Sequence, residues 1–101
     1  MGSHSAVCFF PPNDSSSVGH FPGNPIIPGA AILREVLRAV SAGRDSACCE
    51  VRGAKFLHPV RPNETVTIVW EETASGDIGF TCATGTPEQR VVTGTLLLRA
   101  R

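Results

Sequence analysis

One histidine of this chain stands in a loop that leaves it few conformations. His20 belongs to the run Gly19-His20-Phe21-Pro22-Gly23-Asn24-Pro25-Ile26-Ile27-Pro28-Gly29. Its prolines hold φ near about −65°, and its glycines admit backbone that other residues avoid. An imidazole titrates near neutral pH and serves well as a general base. The residues therefore indicate acid–base chemistry at this loop.

The loop leads into a predicted helix. From Ala30 to Ala42, apolar residues recur at helical spacing, Pro28 suits a first helical position, and Gly43 suits the residue after the last turn. At the start of such a helix, unpaired backbone N–H groups can hold a developing negative charge. A positioned imidazole beside a helix N-terminus favours chemistry on a carbonyl compound.

The same run resembles the signature of the hot-dog-fold 3-hydroxyacyl-[acyl-carrier-protein] dehydratases of the FabA/FabZ type, in which His-Phe-x-Gly-x-Pro-x-x-Pro-Gly leads into the central helix. A second segment, Lys55-Phe56-Leu57-His58-Pro59-Val60-Arg61-Pro62-Asn63-Glu64, is similar to that family's strand, Pro-Val-x-Pro turn and next strand. The resemblance covers the chain from about Val7 onward. It implies an antiparallel sheet wrapped around one central helix, no cofactor, and a site shared by the two chains of a homodimer.

Residue roles follow from the resemblance. It implies that His20 removes the proton from the carbon next to a thioester carbonyl, and that the Gly29 N–H polarises the thioester oxygen. We assign Phe21, Pro28 and Arg34 to the substrate-binding surface together with Gly29. The structural alternatives are a histidine that holds its loop through hydrogen bonds and a plain Pro-Gly turn.

The catalytic acid is where this sequence departs from the family. Counting from His20, the position of the family's Asp or Glu holds Arg34, and Glu35 follows one residue later. A guanidinium, with a pKa above about 12, is no proton donor, and one residue along a helix turns a side chain by about 100°. Glu35 is the candidate acid. A solvated glutamate, or one paired with Arg38, is the alternative.

Composition limits the remaining functions. The 101 residues predict one domain, 1–101, in which 1–4 resemble an expression-tag remnant, and so small a domain gains from a partner subunit. A formal net charge of zero disfavours nucleic-acid binding. No apolar run is long enough to span a membrane, and the N-terminus lacks a secretory signal, so a cytoplasmic location is expected.

The fold prediction comes from periodicity. Strands are expected at Ala6–Phe10, from Cys49 to His58, from Thr65 to Glu71, from Ile78 to Cys82 and from Gln89 to Arg99. One helix with a block of antiparallel strands is an α+β domain whose helix covers one sheet face. Trp70, Phe80 and Leu96 are assigned to the core or to the lining of an acyl pocket.

The cysteines and the other histidine receive structural interpretations. Cys8, Cys48, Cys49 and Cys82 form no C-x-x-C pair and lack a histidine spacing that would complete a metal site, so buried thiols are predicted and no metal. His58, at a strand end, is expected to be structural. Each of these positions is thus left out of the predicted chemistry.

A basic group and the overall function complete the prediction. Arg52, Lys55 and Arg61 would meet an acyl carrier protein or a phosphopantetheine phosphate, with scattered surface charge as the alternative. The predicted function is that of a dehydratase-like lyase acting on acyl-carrier-protein or CoA thioesters. The alternatives are a non-catalytic thioester-binding module, including a structural partner subunit, and a thioesterase.

Overall fold

The computed structural model describes residues 3–11, 26–42 and 48–99. In chain order the elements are β1 (His4–Phe9), α1 (Gly29–Ser41), β2 (Cys48–Phe56), β3 (Thr65–Glu72), β4 (Ile78–Thr84) and β5 (Gln89–Arg99). The five strands form one antiparallel sheet in the order β1-β3-β4-β5-β2. The predicted α+β class, with one helix and a block of antiparallel strands, is confirmed.

The helix covers one face of this sheet because its apolar residues fall on one side. Its buried positions, Ala31, Ile32, Val36 and Val40, follow the three- and four-residue spacing of a helix face. They share a single core with the inward residues of the sheet, including Trp70, Phe80 and Leu96, which the sequence assigned to the core or to a pocket lining. Among the described residues, no helix has the length and apolar character needed to cross a membrane.

Two element starts differ from the sequence prediction. Strand β1 begins at His4 rather than at Ala6, and His4 pairs with Trp70 and stacks on its indole at a ring-centroid distance of 5.7 Å. Pro28 is the N-cap of α1, with extended backbone, and the first helical residue is Gly29. Gly43 lies outside the described residues.

Glycine at position 94 lets two neighbouring strands approach. Gly94 of β5 pairs with Phe80 of β4, and a Cβ at Gly94 would lie 2.8 Å from the Phe80 ring and collide with the Gly53 carbonyl oxygen. Strand β2 shifts register between Val51 and Gly53, where it passes this point. The glycine therefore permits both the bulge in β2 and the packing of a core aromatic ring.

Backbone hydrogen bonds join the segment before α1 to the segment after β2. The Ile27 N–H donates to the Val60 carbonyl at 2.8 Å, and the Leu57 and His58 N–H groups donate to the Val91 carbonyl at 2.8 and 3.3 Å. Asn63 has a φ of 74°, a left-handed conformation that asparagine tolerates. Because of the hydrogen bond between Ile27 and Val60, the start of the helix and the end of β2 lie side by side.

Candidate active site

A groove lies where the start of α1 meets the end of β2. Its volume is about 570 Å³, within the range of small-molecule sites. In the described part of the chain, its walls are apolar except for one imidazole. The lining residues are Ile26, Ile27, Gly29, Ile32, Phe56, Leu57, His58, Pro59 and Val60. Such a groove can hold an apolar chain and leaves few polar groups to orient it.

The helix N-terminus at this groove keeps free donors. The N–H groups of Ala31 and Ile32 donate to the Pro28 carbonyl at 3.0 and 3.3 Å, whereas those of Gly29 and Ala30 have no acceptor among the described residues. The N-cap residue supplies no side-chain hydrogen bond, and the first turn carries no acidic residue. Unpaired N–H groups at a helix start attract an anionic oxygen. The groove therefore has donors suited to a developing oxyanion.

Gly29 is needed at this position because an aromatic ring lies against it. An added Cβ would stand 2.7 Å from Cζ of Phe56 and 3.0 Å from Cε1. Phe56 is 48% exposed, so the ring covers the helix start from the solvent side. The close approach of ring and backbone gives the Pro-Gly pair a packing role as well as its predicted binding role.

Only one of the other residues of the predicted loop site belongs to the described part of the structure. Pro28 directly precedes Gly29 as the N-cap of the helix. His20 and Phe21 lie outside the described residues. The part of the motif that the structure describes, from residue 26 onward, is therefore its helix-entry half.

Glu35 is engaged with two arginines. Its Oε2 atom lies 3.7 Å from Nε of Arg34 and 3.5 Å from Nη1 of Arg38. The Glu35 side chain is 19% exposed, while that of Arg34 is 61% exposed. Neither residue lines the groove that contains Gly29. The pairing with Arg38 considered from sequence is present, and the role of Glu35 as acid stays a prediction.

Two thiols lie on the inner side of the sheet near this carboxylate. Burial raises the pKa of Cys8 to about 11, with a further contribution from the negative charge of Glu35. Burial, followed by the neighbouring Cys8, raises the pKa of Cys82 to about 12. Both cysteines are free, and both stay protonated at neutral pH, which makes them poor nucleophiles. No group of residues in the described ranges could hold a metal ion.

His58 is the site residue that sequence reasoning missed. It was expected to be structural, yet its partly buried side chain lines the same groove as Gly29. The available signal was its place in the second family-like segment, directly before Pro59. That segment resembles the first motif in using prolines to fix a histidine beside apolar residues.

The residues of the predicted basic group have different contacts. Nη1 of Arg52 lies 3.7 Å from Oδ2 of Asp77, and the Arg61 backbone N–H donates to Oε1 of Glu64 at 2.7 Å. Arg52, Lys55 and Arg61 are all exposed. Exposure is what carrier binding requires and also what scattered surface charge would show. Carrier docking stays a prediction.

Comparison with known protein sequences identifies related dehydratases. The sequence profile of the ApeI-like family, described as ApeI dehydratase, matches residues 2–95. The 3-hydroxyacyl-[acyl-carrier-protein] dehydratase FabZ of Thermomicrobium roseum is 36% identical over 84 residues, which cover 73% of this chain and 54% of that protein. FabZ of Pediococcus pentosaceus is 34% identical over 65 residues, covering 55% and 44%. The chain spans about half the length of these curated relatives.

Solved structures share the fold. The dehydratase heterocomplex ApeI:P from Xenorhabdus doucetiae superposes with a TM-score of 0.79 at 20% identity, covering 98% of this chain and 88% of the other. An uncharacterized protein from Erwinia carotovora subsp. atroseptica gives a TM-score of 0.83 at 22% identity, covering 97% and 83%. An acyl-CoA hydrolase from Staphylococcus aureus gives 0.67 at 10% identity, covering 97% and 62%. These neighbours confirm the hot-dog fold.

Proposed function

The chain belongs to the ApeI-like dehydratase family, and on this premise we propose that it is a lyase that removes water from 3-hydroxyacyl thioesters. The observation that carries the proposal is the uncapped start of α1, whose Gly29 lines an apolar groove. A thioester oxygen placed there would accept hydrogen bonds from backbone N–H groups that have no other described acceptor. Such donors stabilise the enolate that forms when the neighbouring carbon loses a proton.

The proposed reaction is an elimination across the α and β carbons. His20 takes the proton from the α carbon, and the negative charge develops on the thioester oxygen near Gly29. The bond from the β carbon to its hydroxyl then breaks as an acid protonates the departing oxygen, which leaves as water. The products are a 2-enoyl thioester and water, and no oxidant, reductant or cofactor is required.

The acyl group and its carrier are proposed from the groove and the relatives. Apolar walls favour an alkyl chain over a polar substrate. The FabZ relatives are named as acyl-carrier-protein dehydratases, so an acyl carrier protein is the proposed carrier, with CoA as the alternative. Arg52, Lys55 and Arg61 would meet its acidic surface. Reversing these charges should slow association more at low than at high salt, because exposed charges are screened.

A homodimer is the proposed assembly. Strands β1 and β2 are the two edges of the sheet, and an exposed edge can pair with another chain. At the end of β2, Phe56 is 48% and Leu57 is 47% exposed, so apolar surface adjoins both this edge and the groove. Sedimentation should therefore show a dimer at micromolar concentration. A monomer under those conditions would count against a site shared by two subunits.

The test of the function is turnover of defined thioesters. The protein should interconvert 3-hydroxyoctanoyl-CoA and 2-octenoyl-CoA, followed by the absorbance of the conjugated enoyl thioester. His20→Ala should lower the rate by about 10²–10⁴-fold, the usual contribution of a general base. His4→Phe is the matched control because this histidine only stacks on Trp70 in the described sheet. Equal rates for wild type and His20→Ala would contradict the proposal.

A second candidate function rests on Arg34. If the arginine at the family's acid position leaves the site without an acid, the chain would be a thioester-binding subunit that supports an active partner. One fold neighbour is described as a dehydratase heterocomplex, which favours this alternative. The protein would then bind 3-hydroxyoctanoyl-CoA without converting it. Arg34→Glu, which restores a carboxyl at the family's position, should then produce activity. Release of free CoA, measured with a thiol reagent, would instead identify a thioesterase.

A further inference from the structure

We propose that His58 protonates the departing hydroxyl. This inference rests on the proposed dehydratase function and names the acid that the function requires. It starts from a chemical need: hydroxide is a poor leaving group, and elimination to water needs a proton donor near the β carbon. Arg34 cannot supply that proton because a guanidinium does not deprotonate in proteins.

Among the described residues that line the groove, one side chain transfers protons. Of the nine lining residues in the described ranges, eight are Gly, Pro, Phe or aliphatic, and the ninth is His58. Glu35, the other candidate acid, is absent from the lining and holds its carboxylate between Arg34 and Arg38. Within the described part of the chain, His58 is therefore the group best placed to act on a ligand bound beside Gly29.

The backbone fixes His58 relative to Gly29. The hydrogen bond from Ile27 to Val60 joins a residue two positions before Gly29 to a residue two positions after His58. The His58 N–H is itself anchored on the carbonyl of Val91, which is fully buried. The following proline, Pro59, restricts the His58 backbone to extended conformations. The backbone that carries the imidazole is therefore tied both to strand β5 and to the segment before Gly29.

The His58 ring is also available for a ligand. No hydrogen bond or ion pair joins its nitrogens to a described residue, although the side chain is partly buried. In the reaction, an imidazolium N–H of His58 donates its proton to the hydroxyl oxygen as the bond from the β carbon to oxygen breaks. His20 holds the proton taken from the α carbon. After the enoyl thioester and water leave, His20 loses a proton to solvent and His58 regains one.

Three substrates separate this role from a structural one. His58→Asn keeps a hydrogen-bonding side chain but cannot transfer a proton at neutral pH. With 3-hydroxyoctanoyl-CoA, its rate should fall by about 10²-fold or more. Exchange of the α protons of octanoyl-CoA with deuterated water should stay near the wild-type rate because that step needs no acid. Elimination of chloride from 3-chlorooctanoyl-CoA should also stay near wild type, since chloride leaves without a proton.

The outcomes that overturn the inference differ from those that overturn the function. Dehydration by His58→Asn within about threefold of wild type, or an equal loss in all three reactions, would exclude His58 as the acid. A loss in Glu35→Gln with His58→Asn intact would assign the acid to Glu35. If the wild-type protein shows neither exchange nor dehydration, the proposed function itself fails, and this inference fails with it. His58→Gln provides a second variant if His58→Asn does not fold, as judged by thermal melting.

Discussion

The polar groups at the start of α1 and the carboxylate in the middle of the same helix have different surroundings. At the start, the N–H group of Gly29 and the imidazole of His58 lie at the apolar groove and have no partners among the described residues. In the middle, the Glu35 carboxylate lies within 4 Å of two guanidinium groups. Polar groups that a fold leaves unsatisfied beside a cavity are available to a ligand, whereas satisfied groups stabilise the fold. The difference supports the proposal that a ligand binds at the helix start rather than at the middle of the helix.

A large effect on turnover is expected from adding a methyl group at the groove. Gly29→Ala would place its Cβ about 2.7 Å from Cζ of Phe56, so the ring must move. Because Phe56 is half exposed, it can swing away at a modest cost in stability, about 1–3 kcal/mol for an overpacked site. A displaced ring would misalign the bound thioester and lower turnover by up to about 10²-fold. Turnover and thermal melting, measured together, would separate the two effects.

Gly79→Ala is the matched control for this substitution. A Cβ at Gly79 would meet only the Thr73 methyl group, at 3.8 Å, which is an ordinary contact. Its turnover should match wild type. Unchanged turnover in Gly29→Ala would mean that Phe56 and Gly29 do not position the substrate.

A smaller effect, on stability alone, is expected at alkaline pH from the thiols of Cys8 and Cys82. The pKa of Cys8 is raised from 9.0 to about 11 and that of Cys82 to about 12. Above about pH 9, the two thiols of the unfolded chain lose their protons, whereas those of the folded chain keep them until the pH reaches their raised pKa values. The free energy of unfolding therefore falls as pH rises above about 9. Urea unfolding across this range measures the decline. Cys82→Ala should make it shallower, and an unchanged slope would argue against burial as its cause.

The smallest effect is expected from removing one charge in the same region. Glu35→Gln should lower the pKa of Cys8, because the nearby negative charge contributes to its rise, although burial contributes more. The pH dependence of iodoacetamide labelling, followed on the peptide that contains Cys8, measures this shift. Glu71→Gln removes an exposed charge elsewhere and should leave the labelling profile unchanged. Identical profiles for all three proteins would show that Glu35 does not face the thiol.

The fold could be predicted largely because its elements have distinct periods. Strand β5 has the predicted bounds, Gln89–Arg99, and the helix lies within one residue of its predicted start and end. The start of β1 could not be predicted in this way. Its extension to His4 depends on pairing with Trp70, 66 positions away in the chain, and local sequence carries no signal for such a contact.

The candidate site was predictable only where a motif specifies the backbone. Gly29 follows from a Pro-Gly pair at a helix start, and the structure places it in a groove. The orientation of Glu35 depends on how the helix is rotated, which the buried residues Ile32, Val36 and Val40 determine through contacts with the sheet. His58 becomes a groove residue through the bond between Ile27 and Val60, a contact between distant segments that sequence spacing does not reveal.

Gly94 has a consequence for any mutational scan of this protein. A side chain there would press on Phe80 and on the Gly53 carbonyl of β2, the strand that continues into Phe56 and His58. Such variants would lose activity although Gly94 is not a lining residue of the groove. A map of inactivating substitutions would therefore mark this glycine as though it contacted the substrate. Only a parallel measurement of folded protein would separate a misplaced strand from a missing catalytic group.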